Sequence, residues 1–591
     1  MKTSTSLEFA MKLCSIRIDH LVCMSAGWFA LAIPVRAQDC STSLISLNSA
    51  GAQANRDSYM PIVSRNGRVV VFYSDASNLV SGDNNSRRDV FLRDRATLTT
   101  EMISVASSGA PGNNDSYSLA VSTTGRFVVF MSDATTLVPL DTNAKRDIFL
   151  RDRSLGSTER ISVSSSGVQS NGWSYSADVS ADGRFVVFAN DGSNLDPTDF
   201  NGQPDVYVRD RTLGTTTLLT RGNTGLAAAG VSDDVHCTPD FRYISFTCSA
   251  LDLLTPSLLP YAYPQVYVYD SLTAVFTLET IDPQGGGGNA DTLYQSISDD
   301  GQMVAFTTRA TDLVPGSPMG TADVFVRNRQ THTTSHVSVP VNGSNTNGLC
   351  GPVSISANGR YVAYDSVANN LFVGDTNGRS DIFVRDLATG TTTLASVSIW
   401  CGLGTEPSQS PSISADGRIV VFDSIAAQLI GADLNDYRDV FLNDRQPQAN
   451  FYCTGKINSL GCLPSITLSG WPSASAGSGF SINASQFRNQ KLGLLLYSTG
   501  GPLALPWYGG VMCVGLPRVR TPIQSSGGSA NPASDCTGTY QFDFNAWIVA
   551  GSDPGLAAGQ QVWGQYWARD PGYTPPYNVS LTNGTTFTLD P

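Results

Sequence analysis

Lysine is almost missing from this chain. Only Lys145, Lys456 and Lys491 lie beyond residue 37, and the 591 residues carry a net charge of −13. A lysine-poor, acidic surface argues against nucleic acid or an anionic membrane as a partner. Histidine is equally scarce, with His236, His332 and His336 alone past His20. The sequence has no Gly-x-Ser-x-Gly elbow, no His-Glu-x-x-His pair and no phosphate-cradling glycine loop. Those signatures of esterases, zinc proteases and nucleotide-binding proteins are therefore absent. No cysteine spacing suits zinc. Past the first forty residues, no apolar run is long enough to cross a bilayer.

The one long apolar run, Leu21 to Val35, follows Lys2, Lys12 and Arg17 and precedes Val35-Arg36-Ala37. Residues 1–37 read as a secretory signal cleaved after Ala37. Its loss removes four basic and two acidic groups, which takes the net charge from −13 to −15. The protein is expected to be exported, to the periplasm, the cell surface or the medium, and to be monomeric. Cysteines of an exported chain are expected in disulfides. The economical pairings are Cys237–Cys248 across a hairpin, Cys453–Cys462 and Cys513–Cys536. Cys350 and Cys401 would join neighbouring repeats, and Cys40 is left over.

What the chain has in abundance is repetition. Ser180-Ala-Asp-Gly-Arg-Phe-Val-Val-Phe188 recurs, with turn tetrads ending at residues 67, 125, 183, 241, 301, 359 and 417. A second segment starts at Asp89, Asp147, Asp205, Gln265, Asp323, Asp381 and Asp439. A period of 58 to 60 residues held over seven copies is the mark of a repeat architecture. Within one copy, Phe185–Phe188 and Val206–Val208 are short β-branched and aromatic runs, and the Asp-Gly pair before the first is a hairpin turn. Tyr175–Val179 and Thr215–Leu219 complete four antiparallel strands, which we call A, B, C and D. Four strands in about sixty residues make one propeller blade. The seventh copy ends at Arg445 with no D strand, and Ser41–Leu47 resembles a D strand. Residues 41–47 are expected to complete the last blade, which removes an exposed sheet edge.

The Ser-Ala-Asp-Gly-Arg-Phe-Val-Val-Phe run resembles the WD40-like (PD40) repeat of bacterial TolB-type propellers over residues 41–445. The resemblance implies a propeller in a secreted or periplasmic setting and no single activity. The expected fold is all-β: a signal peptide (1–37), a seven-bladed β-propeller (38–445), a linker (446–449) and a β-sandwich-like C-terminal domain (450–591). The last region lacks helical periodicity, and Gly and Pro punctuate its short apolar runs. Its opening, Tyr452 to Cys462, and its close, Gln565 to Pro571, resemble a module on uncharacterised exported bacterial proteins. Trp471, Trp507, Trp547, Trp563 and Trp567 lie there, either as core or as a sugar platform.

Two polar patterns carry candidate chemistry. The B–C loops read Asp83, Asn85, Asp89; Asp141, Asn143, Asp147; Asp199, Asn201, Asp205; Asp375, Asn377, Asp381; and Asp433, Asn435, Asp439. Hard oxygens at this spacing could wrap Ca²⁺; Asp and Asn also stiffen such loops by accepting backbone N–H groups. No other cofactor is expected. The Arg-Asp-Arg triplets after strand C suggest an anion site or a surface ion-pair array. The B–C and D–A loops share one face. There Tyr59, Tyr117, Trp173, Tyr175 and Tyr294 stand near the central channel, as ligand contacts or as packing between blades. These features point to a binding or scaffolding protein that recognises a protein or glycan. The alternative is a polysaccharide hydrolase or lyase with its site at the channel mouth.

Overall fold

The computed structural model describes residues 42–589 except 255, 256, 260, 316–320, 342, 344, 401, 432, 434, 446–449, 471, 476, 530–533, 558 and 559. The expected signal segment and linker, with Cys40, Cys401 and Trp471, lie outside the described residues. No helix among those described is long and apolar enough to cross a membrane.

Each repeat folds as a four-stranded antiparallel sheet in the order A-B-C-D. The third comprises Ser174–Val179, Phe185–Asn190, Asp205–Asp210 and Thr215–Leu218. Seven such sheets occur among the described residues. Strands B and C carry aromatic residues directly opposite one another. Phe72–Phe91, Phe130–Phe149, Phe188–Tyr207, Phe246–Tyr267, Phe306–Phe325, Tyr364–Phe383 and Phe422–Phe441 face each other at 5.6–6.1 Å. All fourteen rings are buried. Cross-strand aromatic pairs fix register, because a one-residue slip would turn every ring to the other face.

Both faces of each sheet are covered by a neighbour. Val70 and Phe72 of the first sheet share a core with Val421 and Leu442 of the seventh, and Val69 and Val71 share one with Val128 and Phe130 of the second. Analogous cores join every successive pair. The cycle is closed, which is the propeller arrangement. Residues Thr42–Leu44 supply the D strand of the last sheet, in the register Thr42↔Asn443, Ser43↔Leu442, Leu44↔Phe441.

One compensation differs from expectation. The fourth A–B hairpin lacks the turn glycine, and Phe241 adopts φ +59° there. No disulfide offsets this. Cys237 lies opposite Ile244 and Cys248 opposite Ser232, so the two thiols sit at opposite ends of the hairpin, roughly 15 Å apart along the strands. A disulfide needs Cα atoms within about 7 Å. Both cysteines are free and buried, as is Cys350. Instead the Phe241 ring stacks on Phe185, 4.6 Å between centroids and 13° between planes. At the matching turn, a side chain on Gly183 would collide with Phe127. The fourth repeat thus fills with a stacked ring the space that its neighbour keeps for a glycine.

Past residue 449, three-stranded and seven-stranded sheets enclose a common core. Ile466, Ile482 and Tyr540 from the smaller sheet meet Tyr497, Val562, Tyr566 and Phe587 from the larger. One short helix, Phe544–Val549, breaks the all-strand expectation; the Asp543 carboxylate caps it by accepting the Ala546 N–H. Two disulfides tie this region, Cys453–Cys513 and Cys462–Cys536. They replace the expected pairings of near neighbours. Strand Asn450–Tyr452 pairs with Gly584–Thr588 in the large sheet, and the Tyr452 hydroxyl donates to the Cys513 carbonyl at 2.7 Å. That docking brings Cys453 to a strand sixty residues away.

Candidate binding face and channel

The D–A and B–C loops meet where strand A begins and strand C starts. Three successive sheets, the seventh, first and second, place an arginine immediately before the first residue of strand C: Arg438, Arg88 and Arg146. Each is held by a carboxylate. Arg88 Nε donates to Asp75 at 2.9 Å, Arg146 Nη2 to Asp133 at 2.9 Å, and Arg438 to Asp423. The guanidinium planes interleave with rings. Arg438 and Arg88 lie 5.8 and 5.2 Å from the Tyr59 centroid, and Arg88 and Arg146 lie 5.4 and 4.9 Å from Tyr117. Arg146 and Lys145 then face Trp173 at 5.7 and 5.4 Å. Tyr73 stacks on Tyr59 and meets Tyr117 edge-on. The result is an arc of alternating arginine and aromatic residues across four sheets.

The five predicted aromatic residues divide. Tyr59 and Tyr117 are half-buried within the arc, with roles in packing. Trp173, Tyr175 and Tyr294 are 40%, 39% and 39% exposed. Tyr175 donates to Asp191 at 2.7 Å. Burial and that aspartate push its phenol up to about 12, so it stays a donor. Tyr294 is among the residues that line the channel. The three arginines were missed in the sequence, although Arg-Asp at positions 88, 146 and 438 was a visible signal.

The channel itself has a volume of about 350 Å³ and is lined by all seven A strands. Each A strand is a sheet edge, and every one carries a register break there. The exposed edge donors are met by neighbouring side chains: Val63 N–H donates to Ser412, Ile413 to Ser354, Ile355 to Ser296 and Cys237 to Asp178. Polar lining is thus partly a structural need. Within the channel lining, His236 lies between Asp178 and Asp234, at 3.9 and 3.7 Å. Burial opposes its protonation, but the two carboxylates outweigh it and raise the imidazole pKa. An Arg65–Asp299 ion pair, from the first and fifth repeats, stands near His236. In strand B of the sixth sheet, burial pushes Asp365 up to about 7, and Ser380 donates to it at 3.2 Å.

The acidic loops resolve into separate roles. In every complete copy the Asn side-chain oxygen accepts the N–H two residues on, as Asn85 does from Arg87 and Asn377 from Arg379, both at 2.9 Å. Its amide donates to a carbonyl of the next D–A loop, Gly112 for Asn85, Ser170 for Asn143, Ala228 for Asn201, Gly404 for Asn377 and Ala54 for Asn435. The asparagines staple neighbouring repeats. The aspartate that opens strand C accepts a hydroxyl from the end of strand D, Ser104 to Asp89 and Ser396 to Asp381. Ser46 of the N-terminal segment does the same for Asp439.

Burial pushes these strand-opening carboxyls up, Asp89, Asp205 and Asp439 to about 7 and Asp147 and Asp381 to about 6. A carboxyl with a raised folded pKa loses stability as pH climbs from the unfolded value, about 4, to the folded one. With divalent ions chelated, the urea midpoint should fall between pH 5 and pH 8. An unchanged or higher midpoint at pH 8 would contradict this assignment.

The Arg-Asp-Arg triplets lie at the other end of the sheets. Asp94, Asp152 and Asp210 accept from Arg68, Arg126 and Arg184 at 2.7–2.8 Å, and Arg153 pairs with Glu101. They form an ion-pair array. In the C-terminal region, Trp507, Trp547 and Trp567 pack against cores.

No family model matches the chain, and no curated protein does. Among solved structures, TolB from Acinetobacter baumannii is similar at 16% identity with a TM-score of 0.33, over 58% of this chain and 64% of that one. The chain thus spans less than two thirds of that protein. Putative TolB from Agrobacterium tumefaciens gives 16% and 0.31, over 48% and 82% of the two chains. An oligogalacturonate lyase from Vibrio parahaemolyticus gives 12% and 0.40, over 66% and 90%. Likenesses this loose carry no argument about function.

Proposed function

We propose that this chain is an exported seven-bladed β-propeller with a C-terminal β-sandwich, and that it binds a protein or glycan partner through the arginine–aromatic arc. The observation that carries this reading is the end of the arc. Trp173 and Tyr175 are 40% and 39% exposed, while the arginines behind them are fixed by Asp75, Asp133 and Asp423. Rigid aromatic residues backed by anchored guanidinium groups give contact area at low entropic cost, the property of interface hot spots. Two disulfides support export.

The test is a glycan and peptide array probed with residues 38–591. A ligand found there should bind at least about tenfold more weakly to the Trp173→Ala, Tyr175→Ala double variant, the loss expected of hot-spot residues. Blank arrays, or a variant that binds like the parent, would remove the reading. In a second reading, a hydrolase or lyase at the channel mouth, the proton-transfer group would be Asp365, a strand B carboxyl that burial pushes up to about 7. Turnover of a polysaccharide that is lost in Asp365→Asn, with folding intact, would establish it.

A further inference from the structure

The repeats act as internal controls on one another in the acidic loops. Each loop sets a first aspartate against the aspartate that opens strand C. In the second copy these are Asp141 and Asp147. Arg160, from strand D, reaches both: Nη2 lies 3.1 Å from Asp141 and Nε 3.7 Å from Asp147. In the third copy Tyr207 donates its hydroxyl to Asp199. In the fifth, which keeps only Asp323, His336 stands 3.3 Å from that carboxylate. A cation or donor has thus been built in where the loop needs one.

In the first and sixth copies the first aspartate has neither, while the strand-opening aspartate accepts from the loop asparagine, Asp89 from Asn85 and Asp381 from Asn377, both at 2.7 Å. The strand C residue is Phe91 or Phe383 rather than tyrosine, and the facing strand D residue, in the register of Arg160, is Met102 or Leu394. Asp375 is 6% exposed, and its Oδ1 is buried with no hydrogen-bond donor; Asp83 is half-buried, with both carboxylate oxygens buried and without a donor. The charges set against the facing carboxylates are of the same sign: Asp83 and Asp115 act on Asp89, and Asp375 acts on Asp381. Buried carboxylates left facing each other with an oxygen unpaired are costly unless a cation joins them.

We infer that the first and sixth repeats each bind a hard divalent cation, Ca²⁺ in kind, between Asp83 and Asp89 and between Asp375 and Asp381. Carboxylate oxygens without nitrogen or sulfur donors select such an ion. Among the described residues no group of three acidic, histidine or cysteine side chains is arranged to hold a metal ion. Each site therefore has two carboxylates, with carbonyl and water oxygens to complete it, and is weak, in the range of extracellular calcium modules. The asparagines are not counted as primary ligands, because their side-chain oxygens already accept the N–H two residues on. In the seventh copy the Gln53 amide reaches Asp433 at 3.5 Å and supplies the donor that Asp83 and Asp375 lack.

The test uses the whole exported chain. Equilibrium dialysis with Ca²⁺ should find two ions per chain, and one in Asp375→Asn. The chelated protein should melt higher by a few degrees on addition of millimolar Ca²⁺, and less with Mg²⁺. In Leu394→Arg, which copies the arrangement of the second repeat, the sixth site should bind no ion and the chelated melt should rise. Should that variant fail to fold, the dialysis of the parent and of Asp375→Asn still decides. No bound Ca²⁺, or an unchanged count in Asp375→Asn, would overturn the inference. Equal effects of Ca²⁺ and Mg²⁺ would overturn the assignment to calcium.

Discussion

A chain that begins after Leu47 is expected to lose the closed ring. The seventh sheet would then end at strand Asp439–Asp444, with a row of unpaired backbone groups. Ile45, now 5% exposed, would leave the core it shares with Val421 and Leu442, at a cost of about 2 kcal/mol. The Ile45 N–H bond to Val440 and the Ser46 hydroxyl on Asp439 would go as well. A buried carboxylate stripped of its donor costs roughly 1–3 kcal/mol. Together with the strand pairing itself, the loss exceeds about 5 kcal/mol, a large share of the 5–15 kcal/mol that typically holds a domain. The open edge would also invite association. Size-exclusion chromatography and a thermal melt would show aggregated or molten protein. A monomer melting within a few degrees of the parent would show that the ring does not depend on this strand. The single change Ser46→Ala should cost about 1 kcal/mol, the worth of one buried hydrogen bond.

The second large effect concerns the disulfides. Cys462–Cys536 closes 74 residues and Cys453–Cys513 closes 60. Loops of that length stabilise by about 4 kcal/mol each in the chain-entropy account. They overlap, so their effects will not simply add. Cys462→Ser is expected to lower the melting transition of the C-terminal region by several degrees and to leave that of the ring in place. Peptide mapping of the unreduced protein provides the direct check. Fragments joined as Cys453–Cys462 and Cys513–Cys536 would contradict the fold of this region. In the native protein, Cys237, Cys248 and Cys350 should resist thiol reagents. All three are buried, and burial raises their thiol pKa values, to about 11 and 12 for Cys248 and Cys350, which suppresses the reactive thiolate.

How much was legible follows from how local each feature is. Strands and turns were legible because they are written in neighbouring residues: β-branched runs such as Phe185–Phe188, and a glycine at Gly183 where φ is +71°. The period required seven equivalent sheets, and the missing seventh D strand required a donor from elsewhere in the chain, since backbone groups of a strand must be paired. Ser46 opposite Asp439 repeats Ser104 opposite Asp89, a match already present in the sequence spacing. The aromatic residues of the loop face were visible, but not their division into packed and exposed.

Only the tertiary structure decided the rest. The arc depends on Arg88 reaching Tyr117 of the next sheet, and the compensation at Phe241 depends on Phe185 of the previous one. Disulfide partners were set by strands that pair across sixty or more residues, where nearness in sequence says nothing. The five acidic loops look alike as text. They differ because strand D, brought in from a dozen residues away, offers Arg160 to one and Leu394 to another. Sequence specifies the repeat because hydrogen bonding and side-chain alternation are local. It leaves open what each repeat does, because charge balance in a buried site is settled by whichever side chains folding brings into contact.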